Sequence, residues 1–87
     1  MTRETQALIA AIELRSDNAC DRAAPIYDVW LEAYPTSRYQ ATALVGAADC
    51  RLLLGDRERA RAHIDRLAQL EPKNASLADL RRRLEER

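Results

Sequence analysis

A pattern of apolar residues recurs along this chain at a spacing of 37 residues. Ala23, Tyr27, Trp30, Leu31 and Pro35 fall over Ala60, Ile64, Leu67, Ala68 and Pro72. In each copy an Ala/Leu-rich stretch and a short polar turn precede the pattern. A repeat of this length marks a supersecondary unit that cannot bury its apolar face alone, so neighbouring units must stack on one another. The chain must therefore form an array, and the exposed ends of the array need a cover.

Apolar residues three and four apart predict five helices and no strand. The first covers about residues 3–15, with Leu8, Ile9 and Ile12 on its apolar side. The polar run Ser16-Asp17-Asn18 ends it, and Asn18 with Asp21 reads as a capping box for the second helix, about 19–34. Pro25 falls inside that helix. Proline is tolerated best in the first turn, so a late or irregular start near Asp21 or Arg22 is expected. After Pro35, Ser37 and Gln40 read as the capping box of a third helix reaching Leu54. Gly55 is a left-handed stop and Asp56 caps a fourth helix, about 57–70. After Pro72, Asn74 caps a short fifth helix with Leu77, Leu80 and Leu84 on one stripe and charged residues on the other side.

The second copy contains Gly55-Asp56-Arg57-Glu58-Arg59-Ala60, with Leu44, Ala47, Ala48, Ala60, Ile64 and Pro72 spaced around it. In the first copy Ala7, Ala10, Ala11, Ala23, Tyr27 and Pro35 take those places, and Tyr34-Pro35-Thr36-Ser37 joins the copies. This resembles the tetratricopeptide repeat (TPR) family, whose turn reads Gly-Asp-x-x-x-Ala and whose bacterial members commonly carry Tyr-Pro-x-Ser. The resemblance implies an all-α, right-handed solenoid of antiparallel hairpins in one domain, with repeat one at about 4–35, repeat two at about 38–72 and a capping helix at about 74–87. The chain departs from the family pattern in its spacing of 37 rather than 34, in Asn18 where the turn carries Gly, in Arg51 where an aromatic is usual, and in Trp30 and Leu67 where Ala is usual.

The family's first helices line its ligand-binding side. By position, that surface would hold Thr5, Leu8, Ile12 and Arg15 from one copy and Thr42, Val45, Asp49 and Leu52 or Leu53 from the other. It is apolar apart from one base and one acid. This implies a non-enzymatic protein-interaction module that takes a hydrophobic partner peptide or helix. The alternative is a homo-oligomerising scaffold subunit. A nucleic-acid-binding helical repeat ranks below both.

Composition supports that order. The 87 residues carry 14 basic and 14 acidic side chains, so the net charge gives no general attraction to nucleic acid. The balance is uneven along the chain: five bases against seven acids up to Leu54, and nine against seven after it. No apolar run is long enough to span a membrane. The opening residues lack a signal-peptide layout, because Glu4 and Glu13 interrupt them. The default compartment is therefore the cytoplasm, with the periplasm as the alternative.

No catalytic, cofactor or metal site is expected. His63 lies among arginines with no orienting carboxylate at an obvious spacing, so it reads as a solvated helix residue. Ser16 and Ser37 read as turn and cap residues. The two glycines are isolated and form no phosphate loop. Cys20 and Cys50 read first as two small buried thiols in a reducing compartment. A bridge between them is the alternative, because antiparallel second and third helices would bring them close.

Overall fold

The computed structural model describes residues 2–86, which form five α-helices: α1 (Arg3–Ser16), α2 (Cys20–Ala33), α3 (Gln40–Leu53), α4 (Arg57–Leu70) and α5 (Leu77–Glu85). There is no strand among the described residues. Arg87, the last residue of the expected capping helix, lies outside them.

The 37-residue spacing governs the backbone. Helices start at residues 3, 40 and 77, and at 20 and 57. The turns superimpose bond for bond. The Ala19 and Asp56 amides donate to the Leu14 and Arg51 carbonyls, both at 2.8 Å. Those of Asn18 and Gly55 donate to Arg15 and Leu52, both at 3.1 Å. Asn18 (φ 61°) and Gly55 (φ 77°) are left-handed at the same place in the two units. Helices α1 and α3 therefore each end in a Schellman-type turn, where Gly adopts the left-handed conformation freely and Asn with less strain than other side chains. This corrects the capping box expected at Asn18, which ends α1 rather than starting α2.

Two further expectations about caps change for a physical reason. The Gln40 side chain is buried and donates to the Leu31 and Tyr34 carbonyls, at 3.1 and 2.7 Å. It closes the end of α2, whose last carbonyls lack helical partners, and so is unavailable to cap α3. Ser37 Oγ accepts from the Tyr39 amide, and Asn74 Oδ1 does the same for Ser76; both make connecting turns rather than N-caps. Asp56 does cap α4, with Oδ1 accepting from the Arg59 amide at 3.2 Å.

The irregular start of α2 is also corrected. The helix begins at Cys20 and runs through Pro25. The buried side chains Cys20, Ala23 and Ala24 hold the first turns in place, while the Pro25 ring faces solvent.

The core has two parts that share α3. Ala43, Ala47 and Cys50 face Leu8, Ala11, Ala23, Tyr27 and Trp30. Ala41, Leu44 and Ala48 face Ala60, Ile64, Leu67 and the leucines of α5. Alanines on α3 let large side chains from both sides approach its backbone. Gly46 extends this: a methyl there would lie 2.5 Å from Tyr27 Cζ. Trp30 is sealed in, and its Nε1 donates to the Glu4 carbonyl at 2.7 Å.

Cys20 and Cys50 are bridged, with a Cα–Cα distance of 5.0 Å, which replaces the reading of two free thiols. The start of α2 thus meets the end of α3, so those helices run antiparallel. The Trp30–Glu4 bond gives the same sense for α1 and α2.

Two measurements check this packing. Gly46→Ala is expected to lower unfolding free energy by about 1–3 kcal/mol through overpacking against Tyr27; an unchanged melting midpoint would show that the ring does not sit there. Thiol titration of the unreduced, denatured protein should find almost no free thiol. Reduction should cost about 3–4 kcal/mol of stability for a bridge closing a loop of this length.

Candidate functional site

Helix α3 neighbours both α1 and α5, with α2 and α4 packed behind them. The nine residues expected on the α1–α3 face do not form one surface. Thr5, Leu8, Ile12 and Thr42, joined by Ile9 and Tyr39, surround an open groove of about 340 Å³. Leu8 is only 5% exposed and forms its floor, so it belongs to the core as much as to the groove. Ile9 and Tyr39 were missed as groove residues. Ile9 was visible in the apolar set of α1, but Tyr39 stands in a connecting turn, where helical periodicity carries no information.

Arg15 and Asp49 are committed to each other and to α5. Asp49 forms ion pairs with Arg15 at 3.7 Å and with Arg83 at 2.8 Å, and Arg83 lies 3.7 Å from Asp79. This row of ion pairs crosses α1, α3 and α5 and neutralises the acid and base expected in the groove. Val45 is half-buried against the second core. Leu52 packs there too, while Leu53 is exposed, and both line a separate recess with Gly55, Arg57, Arg83 and Glu86. The Arg57 guanidinium donates to the Leu84 and Glu86 carbonyls there, closing the end of α5.

A second cleft of about 470 Å³ lies between α2 and α4. Here the solvated reading of His63 is corrected. Its ring is mostly buried, and Nε2 sits 3.0 Å from Asp28 Oδ1. The carboxylate that orients it comes from 35 residues earlier, beyond any local spacing. The other oxygen of Asp28 accepts from Arg51, which also reaches Asp56 at 3.5 Å. Arg51 thus acts as an ionic clasp among α2, α3 and the cap of α4. Asp56 is held below the usual carboxylate range, chiefly by its side-chain hydrogen bond from Arg59.

The imidazole–carboxylate pair offers proton transfer but faces no nucleophile, since the cleft lining contains no hydroxyl or thiol. Its charges also oppose one another: Asp28 and Glu32 on α2 against Arg59 and Arg66 on α4. Among the described residues, no group of three His, Cys, Asp or Glu side chains is placed to hold a metal ion, and no helix is long and apolar enough to cross a membrane.

No family model, curated protein or solved structure matches the chain.

Burial pushes the His63 imidazole below its ordinary value of 6.5, and Arg51 adds to the shift. Asp28 opposes it by charge and by hydrogen bonding, and Asp56 by charge. A group with a depressed folded pKa contributes its stability in full above the unfolded value and loses it as pH falls to the folded one. The melting midpoint should therefore fall as pH drops from about 7 to about 5.5, with a flatter slope for His63→Gln. Parallel curves for the two proteins would show that the ring titrates as if in water.

Proposed function

We propose that this chain is a non-enzymatic interaction module. It takes an apolar segment of a partner protein, as a peptide or one face of a helix, into the groove between α1 and α3. The observation that carries this reading is the make-up of that groove. Its walls are Ile9, Ile12 and Tyr39, with the hydroxyls of Thr5 and Thr42 at its edge. One charge borders it: the Arg38 guanidinium lies over the Tyr39 ring and donates to its hydroxyl at 2.8 Å, while Arg15 and Asp49 are paired with each other. An apolar trough with a few hydrogen-bonding groups selects a hydrophobic side chain and fixes its orientation.

The strict 37-residue repeat of helices and turns supports the tetratricopeptide-like reading, in which first helices form the binding side. Against an enzyme, the carboxylate of the one imidazole–carboxylate pair is also held by Arg51, and no hydroxyl or thiol lines the cleft beside it. The Cys20–Cys50 bridge favours an oxidising compartment, such as the periplasm, over the cytoplasm, because such bridges persist where thiols are not kept reduced.

Ile9 is the residue to test, because it is 38% exposed and its loss leaves the core intact. Peptides selected from a random display library on the wild-type protein are expected to be apolar. They should lose at least about tenfold in affinity on Ile9→Glu, as expected for an anchor contact, with helical content unchanged by circular dichroism. Selected peptides that bind Ile9→Glu as tightly as wild type would place the binding surface elsewhere.

A further inference from the structure

The geometry points to a second interaction surface, the outer side of α2, whose occupant is a second copy of this chain in antiparallel pairing. Buried side chains at Cys20, Ala23, Ala24, Tyr27 and Trp30 anchor α2 in the molecule. Its remaining side faces solvent and carries Arg22, Pro25, Val29 and Ala33, with Glu32 exposed at its border with the α2–α4 cleft. Val29 is 68% exposed, the most of any large apolar residue described. With Ala7, Ile26 and Tyr34 these apolar groups border an open recess of about 420 Å³.

The repeat supplies an internal control. Moved on by 37 residues, Pro25, Val29 and Glu32 become Ala62, Arg66 and Gln69 on α4, and Arg22 becomes Arg59. On α4 this side is polar, and Arg59, Ala62 and Arg66 line the cleft across which α4 faces α2. On α2 the same side lies open and carries an apolar centre.

The charges on this face identify the occupant. Arg22 stands at one end and Glu32 at the other, on either side of Pro25 and Val29. A two-fold axis at the level of Tyr27 and perpendicular to α2 sets positions 22 and 32 of the two copies opposite each other. It also sets Pro25 opposite Val29 of the second copy. Both charge pairs are then attractive and the apolar centre is closed, an isologous contact in which one patch complements itself. Parallel pairing would oppose Arg22 to Arg22 and Glu32 to Glu32.

The size of the face sets the strength. Fourteen residues of helix extend about 21 Å. With the flank of α1 the footprint is about 400 Å² a side in projection, about half that of a standard specific interface, which makes the contact a weak, transient one. A reversible dimer with a micromolar or weaker dissociation constant follows.

Sedimentation velocity from about 1 μM to about 1 mM brackets an interface of this size. The wild-type protein should move from monomer to dimer across that range, and Val29→Glu should stay monomeric with an unchanged circular dichroism melt. Arg22→Glu and Glu32→Arg should each weaken the dimer about tenfold by opposing like charges, and the double reversal should return it to within about threefold of wild type. Ile9→Glu, in the groove, should leave the dimer intact. A wild-type monomer throughout, a dimer that survives Val29→Glu, or a double reversal no tighter than the singles overturns the pairing. If Ile9→Glu alone abolishes the dimer, the groove is the self-association site and the α2 surface is excluded; the groove's reading as a peptide site is tested separately by peptide affinity.

Discussion

The seam between α2 and α3 is where one repeat unit becomes two. A single hairpin leaves an apolar face bare, and α3 is the element that covers it on one side while offering its opposite face to the next unit. Four different interactions hold this seam. The Tyr27 ring enters the space left by Gly46, and the Cys20–Cys50 bridge ties the far end of the two helices. Gln40 satisfies the last carbonyls of α2, and Arg51 holds Asp28. Shape, covalent linkage, hydrogen bonding and charge all specify one register. The alanine-rich character of α3 follows from this, since a helix packed on both sides at close range has little room for side chains.

The parts of the fold that were legible in the sequence are those specified locally. Recurring Ala, large apolar residues and Pro at fixed spacing marked the units, and Gly55-Asp56 marked both the end of one helix and the cap of the next. Local patterns misled where two local outcomes share one pattern. Ser37-x-x-Gln40 reads equally as a helix start or as a polar side chain reaching back to close the previous helix. Burial of Gln40, a tertiary effect, decides between them. Asn18 was ambiguous in the same way, and its left-handed backbone became clear only from its equivalence to Gly55.

The candidate site was less legible than the fold. Position within the repeat put Thr5, Leu8, Ile12 and Thr42 on one side, and the structure has them lining one recess, because helical periodicity determines which residues share a face. It gave no warning that Arg15 and Asp49 would satisfy each other and recruit Arg83 from α5. The approach of His63 to Asp28 was hidden for the same reason. Ionic partners 30 or more residues apart leave no mark on local spacing. The balanced formal charge of the chain takes on a structural meaning here: several arginines that look free for a ligand are spent on carboxylates within the fold, across helix boundaries.

The bridge between α2 and α3 has a consequence for how the molecule opens. Cys20 and Cys50 enclose the seam, so the covalent link lies in the middle of the array rather than at its ends. Outside it, α5 is a nine-residue helix held by three leucines and the clasp of Arg57, and α1 buries only Leu8 and Ala11 completely. The free energy of local opening therefore rises from both ends toward the middle. Either end helix can detach briefly while the linked pair keeps its register. The groove between α1 and α3 accordingly has one wall on a helix tied by the covalent link and one wall on a helix outside it.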